Sequence, residues 1–92
     1  MGWYYIVGRC GHQGAGKEKQ NKFGVWAENM YHALKKYNNI PSTKNSRHIP
    51  NIYELNSEQS RSLEDYIIDS KKVFLETAKR NFISLPKSFR LE

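Results

Sequence analysis

The sequence predicts an α+β domain of β-β-α-β-α order, with a three-stranded antiparallel sheet arranged 2-1-3 and a long C-terminal helix. Three observations lead there. Two β-branched and aromatic runs, Trp3-Tyr4-Tyr5-Ile6-Val7 and Phe23-Gly24-Val25-Trp26-Ala27, flank a stretch, 11–21, whose only hydrophobic residue is Ala15, which is a hairpin pattern with a long loop. Asparagine-led segments with apolar residues at helical spacing begin at Asn29 and Asn56. Between them, Ile52-Tyr53-Glu54-Leu55 reads as a short third strand, opened by Pro50 at a position a sheet edge tolerates.

The first strand is apolar throughout and closes at Gly8, as expected of a strand buried on both faces. After the second strand, Asn29 is a good N-cap, with Met30, Ala33, Leu34 and Tyr37 following at helical spacing until Asn38-Asn39. Residues 40–51 are polar, basic and proline-containing, and read as a second loop. Asn56 and Gln59 have capping-box spacing. Leu63, Tyr66, Ile67, Phe74, Ala78 and Phe82 then make one apolar stripe, so the last helix is expected to run to about residue 82, with a break possible near Asp69-Ser70 and Pro86 as its latest stop. The final six residues are expected to fray, and Leu91-Glu92, which resembles a purification-tag remnant, is set aside, leaving a single domain over 1–90. A strand–helix–strand unit crosses over right-handed with its strands parallel, so the most hydrophobic strand, the first, belongs in the middle. Whether the long helix covers the second face or joins the first helix stays open, with full coverage of the sheet as the expected answer.

Ninety-two residues with twelve aromatics suffice for one small core. No apolar run approaches the ~18 residues of a membrane span. The first residues lead straight into a strand pattern without the basic flank of a secretory signal, and the one cysteine, Cys10, has no disulfide partner within the chain; a cytoplasmic protein is expected.

The charge is one-sided. Residues 1–50 carry Arg9, Lys17, Lys19, Lys22, Lys35, Lys36, Lys44 and Arg47 against Glu18 and Glu28, whereas residues 51–92 carry seven charges of each sign. All of the net +6 therefore sits in the first half, along with His12, His32 and His48. Such a field draws polyanions and speeds their association, with nucleic acid first among candidate partners.

Gly11-His-Gln-Gly-Ala-Gly16-Lys17 has the GxxxxGK spacing of a phosphate-binding loop. Glu18, however, stands where a magnesium-holding hydroxyl is needed. A strand rather than a helix follows, so no helix N-terminus points at the phosphate. A nucleotide hydrolase is not expected. What remains is a positive, donor-rich loop suited to phosphate oxygens, or else a solvated hairpin tip. Gly2-Trp-Tyr4-Tyr5-Ile-Val-Gly8 superficially resembles the GIY-YIG nucleases, but both tripeptides collapse into one strand and no arginine occupies the first helix, so that activity is not carried over. Cys10, His12, His32 and His48 match no familiar zinc-ligand spacing, and neither metal nor cofactor is expected. The histidines with Lys17 would suit metal-free RNA cleavage if two of them converged.

The aromatics add a second theme. Trp3, Tyr5 and Val7 alternate with Tyr4, Ile6 and Gly8, and Trp26 with Gly24 alternates with Phe23, Val25 and Ala27. Trp3, Tyr5 and Trp26 are then either an open platform that stacks bases or core beneath the C-terminal helix.

The stretch Gly8-Arg9-Cys10-Gly11-His12-Gln13-Gly14-Ala15-Gly16-Lys17, followed by Val25-x-Ala27-Glu28-Asn29 and Ala33, resembles small uncharacterised proteins of phage and mobile elements of low-GC bacteria. It covers about the first half of the chain and does not extend past residue 50. The resemblance implies a small cytoplasmic accessory protein in a nucleic-acid or anti-defence role.

These observations converge on a non-catalytic nucleic-acid binder, of RNA or DNA, with Arg9, His12, Lys17, Lys19, Lys22, Lys44 and Arg47 as phosphate contacts and Tyr5 and Trp26 as stacking residues. The alternatives are a module that binds an acidic protein surface and a small metal-independent ribonuclease.

Overall fold

A computed structural model describes residues 1–10, 19–40 and 49–91, with backbone alone at 9, 10, 19 and 20. The elements run β1 (Gly2–Cys10), β2 (Lys19–Ala27), α1 (Met30–Asn38), β3 (Asn51–Glu54), α2 (Ser57–Ser70), α3 (Leu75–Arg80) and β4 (Ile83–Leu85). The sheet order is β3-β1-β2-β4, with every neighbouring pair antiparallel. The α+β class and the expected 2-1-3 core of the sheet are present, and a fourth strand extends it beyond β2.

β1 is the spine because its residues are apolar on both sides. Tyr4 and Ile6 join Phe23, Val25 and Ala27 of β2 against Ala33 and Tyr37 of α1. Trp3 and Tyr5 pack the other way, with Leu63 and Ile67 of α2, Ala78 of α3, and Ile83 and Leu85 of β4. The sheet is thus a middle layer between α1 on one side and α2 with α3 on the other. The hairpin is longer than the sequence suggested, since pairing continues to Cys10 opposite Lys19.

The helix starts follow local chemistry. Asn29 Oδ1 accepts from the His32 N–H at 2.8 Å, filling one orphan donor at the start of α1. At α2 the expected capping box is formed reciprocally: Gln59 N–H donates to Asn56 Oδ1 at 2.8 Å and Asn56 N–H to Gln59 Oε1 at 3.1 Å.

The single long C-terminal helix is corrected. α2 ends at Ser70, Lys71 adopts the left-handed conformation (φ 55°), and the chain folds back into the short α3. A continuous helix over 57–82 would measure about 39 Å, against about 30 Å for a nine-residue strand, so its last turns would overhang the sheet. Folding back returns Ala78, Ile83 and Leu85 to the same core. The cost falls on the predicted stripe: Phe74 is 84% exposed at the turn, and Phe82 crosses to the α1 side, where its ring meets Phe23 edge-on at 5.9 Å. The frayed tail is corrected too. Phe89 and Leu91 pack against the Trp3–Tyr5 cluster, and the Phe89 ring lies 6.2 Å from Tyr5 and 5.4 Å from Tyr66.

No helix among the described residues is long and apolar enough to cross a membrane.

Candidate nucleic-acid interface

The hairpin and the α1 crossover place the points from which two basic segments depart at one end of the sheet. Segment 11–18 joins Cys10 to Lys19, the terminal pair of the β1–β2 ladder. Segment 41–48 leaves from Ile40, whose N–H donates to the Tyr37 carbonyl at the end of α1, and returns towards Asn51, which stands opposite Val7. α1 itself ends over that region, because the Tyr37 ring packs directly on Gly8. Arg9, opposite Gln20, and Lys19, opposite Cys10, occupy the last rungs of the hairpin. The described residues that flank the two segments, Cys10 and Lys19 for 11–18 and Ile40 and Asn51 for 41–48, thus lie towards the same end of the sheet.

His12, Lys17, Lys44 and Arg47 lie outside the described residues, as do the phosphate-loop motif and His48. His32 is described, and its Nδ1 accepts from the Glu28 N–H at 3.3 Å, a local role at the α1 entrance. Among the described residues no three His, Cys, Asp or Glu side chains gather as a metal site.

Lys22, a candidate phosphate contact, lies beside the C-terminal tail. Its ammonium donates to the carbonyls of Lys87 and Phe89 at 3.1 and 3.2 Å, tying the C-terminal tail across β2. Tyr5 and Trp26, the candidate stacking residues, lie on the second sheet face, which α2, α3 and the tail cover. Trp3 is fully buried there, with Trp26 packed edge-on against it at 5.4 Å between ring centroids. The Trp3 indole N–H donates to Glu64 Oε2 at 2.8 Å, and Lys79 holds that carboxylate at 3.7 Å while lying 4.3 Å over the Trp26 ring. A buried indole is thereby satisfied, and the Trp26 ring carries a cation over its face. Tyr5 sits between Phe89 and Tyr53, and burial, then the Tyr53 hydroxyl, pushes its hydroxyl pKa up.

Lys36 is also structural. It donates to the Trp26 carbonyl at 2.7 Å and the Lys79 carbonyl at 3.2 Å, bridging α1 to α3, and burial lowers its pKa.

One exposed aromatic was passed over by the sequence reading. Tyr31, in the first turn of α1, is 79% exposed, and Lys35, one turn on, is exposed beside it. The signal was available: with Ala33 and Tyr37 facing the core, positions 31 and 35 fall on the opposite side of a 3.6-residue helix.

No family model, no curated protein and no solved structure matches this chain.

Proposed function

We propose that this chain is a non-catalytic nucleic-acid-binding protein that grips phosphates with the basic end of its sheet, through Arg9, Lys17, Lys19, Lys44 and Arg47. The observation that carries the reading is topological: two segments far apart in sequence, both cationic, depart from the same end of the sheet, one from the Cys10–Lys19 rung and the other into β3 at Asn51, opposite Val7. Five cations drawn from separate segments suit a chain of phosphates better than a single small anion. Cys10 as the sole cysteine fits a small cytoplasmic accessory role.

A salt titration tests it. Each phosphate neutralised contributes a slope of about −0.9 in log affinity against log salt on duplex DNA, or about −0.7 on a single strand. Four or five contacts give a slope of about −3 to −4.5. A flat titration, or no binding of RNA or DNA at low salt, overturns the reading and leaves an acidic protein surface as the partner. Multiple turnover of an RNA substrate, abolished in His12→Ala with His48→Ala, overturns the non-catalytic part.

A further inference from the structure

The outer face of α1 carries a feature that the basic end does not explain. Tyr31 projects its ring into solvent at 79% exposure although three sheet-facing tyrosines in the described fold, Tyr4, Tyr5 and Tyr37, are buried. Lys35 follows on the same stripe of the helix, also exposed. These two positions are i and i+4, so they are surface neighbours. From Tyr31 onward no acidic residue occurs until Glu54, and Glu28, three residues before Tyr31, is the nearest acid in sequence. Lys36 differs from Lys35 in being turned inward on two carbonyls, so Lys35 is the cation α1 presents outward.

We propose that Tyr31 and Lys35 form a stacking-and-phosphate site for single-stranded nucleic acid on the outer face of α1. This rests on the nucleic-acid reading above and narrows it to single strands. A phenol ring offers a flat, sequence-tolerant face for a base, and a neighbouring ammonium pairs with a phosphate. One helical turn, about 5.4 Å, separates the two residues. Nucleotides of a stacked strand rise about 3.4 Å each, so a base on Tyr31 brings its own or the next phosphate within reach of Lys35. α1 then runs from Tyr31 towards Gly8, so a strand lying along it continues onto the basic end of the sheet. A duplex keeps its bases stacked on one another and offers Tyr31 no free face. An acidic peptide would use the lysine and leave the ring idle.

The test measures binding of a fluorescent oligo-dT, an abasic strand of equal length and charge, and a duplex of the same length, with poly-glutamate as competitor. Tyr31→Ala should weaken oligo-dT binding about 5- to 150-fold, the range of one base–aromatic stack, and leave the abasic strand unchanged. Tyr31→Phe should restore the parent affinity. Lys35→Gln should make the salt slope shallower by about 0.7. Melting curves of the variants should overlay the parent, because both side chains are exposed. Salt-dependent oligo-dT binding that is indifferent to Tyr31→Ala overturns this site and spares the nucleic-acid reading. Equal losses on oligo-dT and the abasic strand, or equal parent affinity for duplex and single strand, overturn it as well. Poly-glutamate that competes as effectively as oligo-dT, or a parent protein that binds none of the nucleic acids, overturns both.

Discussion

The Tyr37 ring and hydroxyl fill the space where a β-carbon would stand at Gly8. That contact fixes the end of α1 over β1, and with it the point from which segment 41–48 departs. A glycine is needed there for close approach rather than for an unusual backbone angle.

Gly8→Ala should therefore act as overpacking. The expected loss is about 1–3 kcal/mol. A melting point lowered by at least several degrees checks this, at roughly 4–8 °C per kcal/mol for a domain of this size. A melting point equal to the parent's would show that α1 does not press on β1.

Lys22→Met removes the clamp on the tail. The two hydrogen bonds to the Lys87 and Phe89 carbonyls lie near the surface, so the expected cost is about 0.5–1.5 kcal/mol in denaturant unfolding. Hydrogen exchange at Phe89 and Leu91 should quicken, whereas the salt slope of oligonucleotide binding should stay as in the parent. A shallower slope with unchanged stability would return Lys22 to the phosphate contacts.

The elements that sequence revealed best are those whose chemistry is local. Asn29 and the Asn56–Gln59 box cap helices with bonds made inside one turn, and the alternation of β1 and β2 sorted their residues onto faces before any partner was known. The misplaced residues depend on distant partners. Phe82 and Phe74 share a helical stripe, yet one packs on Phe23 and the other is exposed, because the sheet is too short for a continuous helix. β4 is three residues long and gains its pairing only from β2. Lys22 looks like any surface lysine until the tail lies across it. Trp26 is equally suited to stacking or to core, and only the roof of α2 and α3 decides between them. The basic segments were legible as composition, and the departure of both from one end of the sheet was not.

Trp3→Ala should behave as a core deletion, costing about 3–5 kcal/mol and leaving Glu64 without its indole donor. Tryptophan fluorescence of the parent should change little on adding a single strand, since Trp3 and Trp26 lie beneath α2 and α3. Strong quenching by an oligonucleotide, with Trp3→Ala still folded, would contradict the covered face.

Alkali should unfold the protein through its buried tyrosines. Burial, then the Glu54 carboxylate 3.2 Å from its hydroxyl, raises the Tyr4 pKa, and burial raises that of Tyr5. The stabilisation is complete below the ordinary tyrosine value of about 10, where both states are protonated, and is lost as pH climbs through the folded values. The denaturant midpoint should fall steadily above about pH 10, and Tyr4→Phe should flatten that fall. A midpoint that holds level across this range would place the Tyr4 hydroxyl in water.

The central claim is that binding is localised at one end of the sheet, and matched charge reversals test it most directly. Lys17→Glu with Lys19→Glu alters the basic end. Arg61→Glu with Arg80→Glu makes the same change in charge on exposed positions of α2 and α3, elements joined to the opposite end through Glu64–Trp3 and Lys79–Trp26. Salt titrations of oligo-dT binding should show the first pair flattening the slope by about 1.4 while the second leaves it as in the parent. Both pairs should stay within about ±0.5 kcal/mol of parental stability, as surface substitutions do. Equal losses from the two pairs would mean a diffuse field with no preferred end, and would contradict the claim.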